Sequence, residues 1–455
     1  SAFAVEVSVD GYHEFVGRTY SNTNLGDGTT GNEAVGGSVF TQELRLWARL
    51  KLYEGAQIVI RMRPTDGGTR VLGGNSGLYD QANRDLMDLA WIDYQLNDTF
   101  NVKLGRVWGN GYYISNWGVL HDGHGYADNP DPRDGGIITA KFSDTASVFA
   151  LVGKKTEGAT DGANRAGGFW KPGASSDPRE DNDNDLYVLG ADLKFGIVRL
   201  MPSVGFLKDT SNAPLYAGRD NSTVINGGTP TLSPAIPAIK NPYNPQRITG
   251  YLGASITPSS ALNAKVAFAI ENYDNGVDKF SAIGAYGEVN VKPTDTVSVG
   301  AQVAYSGNDE GYAMGNGDSF GWTYLLTDKL TANSGQGGLM AELYTDVKLG
   351  EKMTLRAVAG YFQSMTDDNY TGNAYAYKYE PVDKTTTALT ATGTRDGMNE
   401  DATGMEFDLS LAYAMKDINT TFTVGGAFAS LSDWGTKGYD PDPVYAAYWK
   451  IRTNF

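Results

Sequence analysis

The chain has 455 residues, no cysteine, three histidines and a net charge of −16, which excludes a disulfide-stapled framework and argues against nucleic acid as a partner. Glycine (57) and tyrosine (27) are abundant and the mean hydropathy is negative at −0.34. No stretch approaches the roughly 18 consecutive apolar residues of a membrane helix, so a membrane form of this chain has to be a closed β-barrel, the other architecture that satisfies every backbone polar group in lipid.

The chain opens on Ser1-Ala2-Phe3-Ala4, without Met and without the charged-then-apolar order of a signal peptide, and reads as a mature chain whose export signal has been removed. Alternation with period two sets in early. Phe40, Gln42, Leu44, Leu46, Ala48, Leu50 and Leu52 form one face, and Thr41, Glu43, Arg45, Trp47, Arg49 and Lys51 the other, a register that no amphipathic helix holds. Similar apolar stripes follow at Leu262 to Ile270, Val297 to Tyr305 and Met405 to Tyr413. Their alternates are polar or small, among them Asn263, Lys265, Ser298, Gln302, Glu406 and Asp408. The final strand puts Ala447, Trp449, Ile451, Thr453 and Phe455 on one face and Lys450, Arg452 and Asn454 on the other. A face for lipid and a face for water would look like this.

Tight connections fall at 53–55, 97–99, 143–145, 195–196, 258–260, 293–295, 350–352 and 416–418, all built of turn-forming residues. Long polar connections alternate with them, near 19–36, 64–83, 108–133, 156–183, 209–244, 273–279, 307–336, 366–402 and 432–441. The interleaving predicts an all-β fold: one transmembrane antiparallel β-barrel over 1–455. It has about eighteen strands, sixteen if the glycine-broken segments 99–107 and 145–155 are counted differently, with short periplasmic turns and long extracellular loops. Strand ends rich in Tyr, Phe and Trp suit interfacial girdles. The closing strand has to pair with the first, near 4–16.

No catalytic set is visible, so the chain reads as a non-enzyme without a cofactor. His121 and His124 flank Asp122 without a third fixed ligand. Asp181, Asp183 and Asp185 supply oxygens for Ca²⁺ but lack the glycine and glutamate spacing of an EF-hand, so they are weak metal candidates in a solvated loop.

The most informative internal stretch is Gly105-Arg106-Val107-Trp108-Gly109, followed by Asp122, Asp128, Asp131 and the Asp134-Gly135-Gly136 return. It resembles the general porins of Gram-negative outer membranes, in which the fifth strand ends in Gly-Arg-x-x-Gly and the third long loop folds into the pore. This chain departs from the family in carrying Asp131-Pro132-Arg133-Asp134 before the glycine pair. The resemblance implies a bacterial outer-membrane location and a homotrimer. It also implies a water-filled channel passing small hydrophilic solutes and ions by general diffusion, narrowed by residues 108–134. A substrate-specific channel for an oxyanion or a carbohydrate is the alternative, and a barrel serving as adhesin or anchor a third. Loop acids can also meet outer-membrane lipopolysaccharide through divalent ions.

An inward loop and opposed charges would set such a constriction. Candidate cations on inward faces are Arg45, Arg49, Arg61, Arg63 and Arg106, with Lys103 below them, and candidate acids are Asp122, Asp128, Asp131 and Asp134. Each arginine can equally be a solvated lumen residue paired with Glu43 or Asp93. Later inward faces carry Glu271, Glu288, Glu342, Asp346, Glu406 and Asp408 with Lys265 and Arg356, so the lumen should be basic early and acidic late. Small residues at Gly284, Ala285, Gly426 and Ala427 read as an outward surface for close barrel packing.

Overall fold

In the computed structural model the described residues are 6–21, 37–62, 70–72, 87–107, 133–154, 184–209, 214–216, 222–226, 229–233, 239–240, 246–274, 279–307, 338–364, 402–433 and 440–455. Apart from two small two-stranded sheets, Pro214–Tyr216 with Ile239–Lys240 and Ser222–Asn226 with Thr229–Ser233, they form one closed antiparallel barrel of eighteen strands. The first half comprises β1 (Glu6–Tyr20), β2 (Gly37–Tyr53), β3 (Ala56–Met62), β4 (Met87–Gln95), β5 (Phe100–Val107), β6 (Arg133–Ser143), β7 (Ala146–Lys154), β8 (Asn184–Phe195) and β9 (Val198–Asp209). The second comprises β10 (Gln246–Ser259), β11 (Leu262–Asp274), β12 (Lys279–Val291), β13 (Val297–Gly307), β14 (Gly338–Lys348), β15 (Met353–Ser364), β16 (Thr403–Met415), β17 (Thr420–Ser432) and β18 (Val444–Asn454). A short segment, Arg70–Leu72, extends the third stave by pairing with Phe40 to Gln42 of β2.

Closure is made by β1 and β18. Tyr12 to Tyr20 pair with Asn454 to Ala446, and Gly11 and Phe455 exchange backbone hydrogen bonds of 2.9 and 3.1 Å. The expected partner range on β1 is thus displaced toward its far end, because the sheet's shear staggers the two terminal strands. The short turns fall where turn chemistry places them. Gly196, at φ +59°, makes the two-residue turn between β8 and β9, a backbone that a side chain would strain. Lys416–Ile418 form one 3₁₀ turn.

The pleat assigns every second residue to the outside, and apolar side chains there are open. Leu343, Met405, Phe407 and Leu409 are all more than half exposed. Aromatics edge this belt near the short turns, where Tyr53 and Tyr94 meet edge-on at 6.1 Å, and Phe15, Phe40 and Trp449 form an outward cluster over the closing seam. A barrel with this exterior is built to span a membrane.

Register also corrects some expected faces. Arg106 lies opposite Ala90 and Asp134 and shares its face with the exposed Leu104, so it stands on the outward side of β5, not in the lumen. Lys103, an odd number of residues away, is the inward one and faces Asp93 across the pair. Asp134 is likewise outward. The two belong to a single row, Arg106, Asp134, Lys154, Asp185, Lys208, Gln246, Asp274 and Lys279, each in register with the next along the long-connection ends of β5 to β12. The sequence signs alternate along it except at Gln246. Asp185 stands in register between Lys154 and Lys208. Of the small residues expected outside, Ala285 and Gly426 are; Gly284 and Ala427 face inward and are buried, since neighbours in a strand cannot share a face.

At the long-connection end of β17, Asp440 accepts hydrogen bonds from Ser432 Oγ (2.7 Å) and from the backbone N–H of Asp433 (3.0 Å), whose φ is +52°. The backbone bond first, and then the serine, hold the Asp440 carboxyl below its ordinary range. Its contribution to order at this rim is present above the unfolded pKa and is lost as pH falls through the lowered folded value. Asp440→Asn is expected to abolish that acid-side dependence, read as hydrogen exchange of the Asp433 amide between neutral and acid pH; an unchanged profile would reject the tie.

Candidate functional site

The inward faces divide into sectors. On β18, β1, β2 and β3 the lumen wall carries Lys450, Arg452, Arg18, Arg45, Arg49, Lys51 and Arg61 against Glu6, Asp10, Glu14 and Glu43, so cations are in excess. Arg45 pairs with Glu43 and Arg49 with Asp10. Lys450 and Arg452 share Glu14 at 3.6 and 3.7 Å. Barrel closure dictates this grouping, because three strands from the start of the chain and one from its end are adjacent only once the sheet closes. Arg61 is fully buried over the Trp47 ring at 5.2 Å, and Trp47 meets Trp91 of β4 edge-on at 6.1 Å.

The second sector, on β11 to β16, is acidic. One register row runs Lys265, Glu288, Gln302, Glu342, Gly360 and Glu406. Lys265 Nζ contacts Glu288 at 2.7 Å, Tyr286 OH donates to the same carboxylate at 2.7 Å, and Gln302 Nε2 donates to Glu342 at 3.1 Å. Arg356 spans Asp346 (3.2 Å) and Glu342 (3.7 Å) and lies 4.8 Å from the Tyr344 ring centroid. Glu271, Glu342 and Glu406 are buried although they face inward. Basic-early and acidic-late is therefore the arrangement found among the described residues.

The third sector, on β5 to β9, is apolar: Val107, Ile137, Phe149, Leu151, Leu186, Val188 and Met201 all face the lumen and are buried, and Trp91 packs against the cluster. The outward alternates Leu104, Ile138, Val152 and Leu189 are more than half exposed or nearly so, which fixes the face. A wall open to water would leave the inward set exposed too; these side chains are covered from the lumen side.

Of the expected constriction residues, Arg45, Arg49 and Arg61 are brought together on one wall, and Arg106 and Asp134 are excluded from it by register. Arg63, Asp122, Asp128 and Asp131 lie outside the described residues, as do His121, His124, Asp181, Asp183 and almost all of 108–134. The sequence reading left out Tyr12, Asp10 and Glu14 as pore residues. Their signal was present in the alternation of Glu6, Ser8, Asp10, Tyr12 and Glu14 against Val7, Val9 and Gly11.

No family model matches the chain, and no curated protein matches it. Solved structures do match. A BenF-like porin from Pseudomonas fluorescens Pf-5 superposes with a TM-score of 0.53 at 12% identity over 98% of both chains. Pseudomonas aeruginosa OccK3 (OpdO) gives 0.51 at 10% identity, over 98% of this chain and 96% of that one. Pseudomonas aeruginosa OpdK with vanillate gives 0.51 at 11% identity over 98% of both. The chain shares its fold with outer-membrane porins. With the apolar exterior, that eighteen-strand architecture fits an outer-membrane location.

Proposed function

We propose that this chain is a substrate-selective outer-membrane channel for small anionic solutes, carboxylates in particular, which pass along the cation-rich wall of β18 to β3. The single observation that carries the reading is that excess of lysine and arginine on strands adjoining the seam, with the Trp47 and Trp91 pair beside it. Guanidinium groups meet carboxylates in a planar fork, and indole faces take the apolar body of a solute. The likeness to OpdK, solved with vanillate, an aromatic carboxylate, fits the same class.

Selectivity requires a narrow path, since an open eighteen-strand barrel is wide. The covered apolar wall on β5 to β9 supports a lumen narrowed by chain, and the connection 108–132 leaves and re-enters the sheet beside that wall. We assign the narrowing to it.

Current carried by the folded protein in planar bilayers is expected to saturate with an aromatic carboxylate and to be blocked by it competitively. Linear, unblocked current would instead favour general diffusion, the second reading, which the Gly105-Arg106-Val107-Trp108-Gly109 pattern and its implied homotrimer support.

A further inference from the structure

We propose that Tyr12 is a positioning residue for the anion path: its ring holds the Arg452 guanidinium out in the lumen and keeps it from closing onto Glu14. The proposal rests on the anion reading above.

Tyr12 lies at the centre of the closing seam, in register with Asn454 of β18 on one side and Arg45 of β2 on the other. Arg452 Cζ is 3.8 Å from the ring centroid and Arg45 Cζ 5.6 Å, so cations from two strands distant in sequence meet one aromatic face system. The phenol OH donates to Glu43 Oε1 at 2.9 Å, the same oxygen that Arg45 engages. On the other side Arg452 reaches Glu14 only at 3.7 Å, while its Nε makes a long contact of 3.4 Å to Asn454 Oδ1.

The ring acts on Arg452 through its face. Its π face attracts guanidinium groups, which are weakly hydrated and stack readily. Its hydroxyl donates to Glu43, the carboxylate that Arg45 already engages, and leaves Arg452 to the ring face alone. Without the ring, nothing holds Arg452 at 3.7 Å from Glu14, and closing that gap turns a lumen-directed cation, 42% exposed, into a neutralised pair. A purely structural tyrosine would fill space at the seam and leave ion preference untouched.

The test is the reversal potential under a salt gradient in planar bilayers, for the full chain and its Tyr12 variants, with gel mobility before and after heating as the check on folding. Tyr12→Phe keeps the face and is expected to retain the wild-type anion-to-cation permeability ratio. Tyr12→Leu is expected to lower that ratio by about two- to fivefold, the scale of an exposed cation–π contact. If Tyr12→Leu does not fold, Tyr12→Met removes the π face at similar volume. Arg452→Gln should lower the ratio similarly, and adding the Tyr12 change to it should have less effect than in the wild type.

A wild-type ratio at or below unity removes the anion reading and this proposal with it. A wild-type ratio above unity that is unchanged in the folded Leu or Met variant overturns the proposal alone. So does a fall in Tyr12→Phe as large as in Tyr12→Leu, or full additivity with Arg452→Gln.

Discussion

Replacing Arg45 and Arg49 together by glutamine is expected to lower the anion-to-cation permeability ratio by about tenfold. A permeating ion about 6 Å from a unit charge in water feels roughly 0.7 kcal/mol, or about threefold per charge. Two removals compound, and they also leave Glu43 and Asp10 without their partners, which adds to cation preference. Arg106→Gln is the informative control. It removes the same charge from a residue whose register places it outside the barrel, and it should leave the reversal potential unchanged. No shift in the double variant would take this wall out of the ion path. An equal shift in Arg106→Gln would mean that the face of β5 is misassigned.

Gly105→Val is expected to cost the folded barrel about 3 kcal/mol or more. Gly105 has φ +131°, and a Cβ there would sit 2.4 Å from the carbonyl oxygen of Ala90 and 2.9 Å from Trp91 Cα. Both neighbours are backbone in a paired strand and cannot yield without breaking the ladder between β4 and β5. Backbone strain alone is on the order of 1–3 kcal/mol, with the steric overlap added. Gly250→Ala is the matched comparison, because its Cβ would meet only the Ile270 methyl at 3.4 Å. Urea unfolding in detergent should separate the two variants clearly, and equal midpoints would show that the approach of β5 to β4 carries no constraint. The same glycine opens the motif on which the resemblance to general porins rests, so its requirement here is one of strand geometry and tells nothing about diffusion or specificity.

Most of the barrel was legible because a strand repeats every two residues, and lipid on one side with water on the other writes that period into composition. The outward stripes at 262–270, 297–305 and 405–413, the tight turns and the count of eighteen all follow from it. Parity of position decides a face where charge does not. Arg106 and Lys103 are three apart and cannot share a face, and adjacent pairs such as Gly284 and Ala285 cannot both point outward.

The chain's alternation and turn chemistry by themselves determined an all-β barrel with lipid outside, because those signals are local and each strand carries its own. Which strands stand side by side was decided only in three dimensions. Residues 12, 45 and 452 become neighbours through closure, and the stagger of β18 on β1 selects which of their side chains meet. The row from Arg106 to Lys279 likewise depends on the register of eight strands at once. Register is a property of pairs, set by the shear of the whole sheet, and no single strand encodes it.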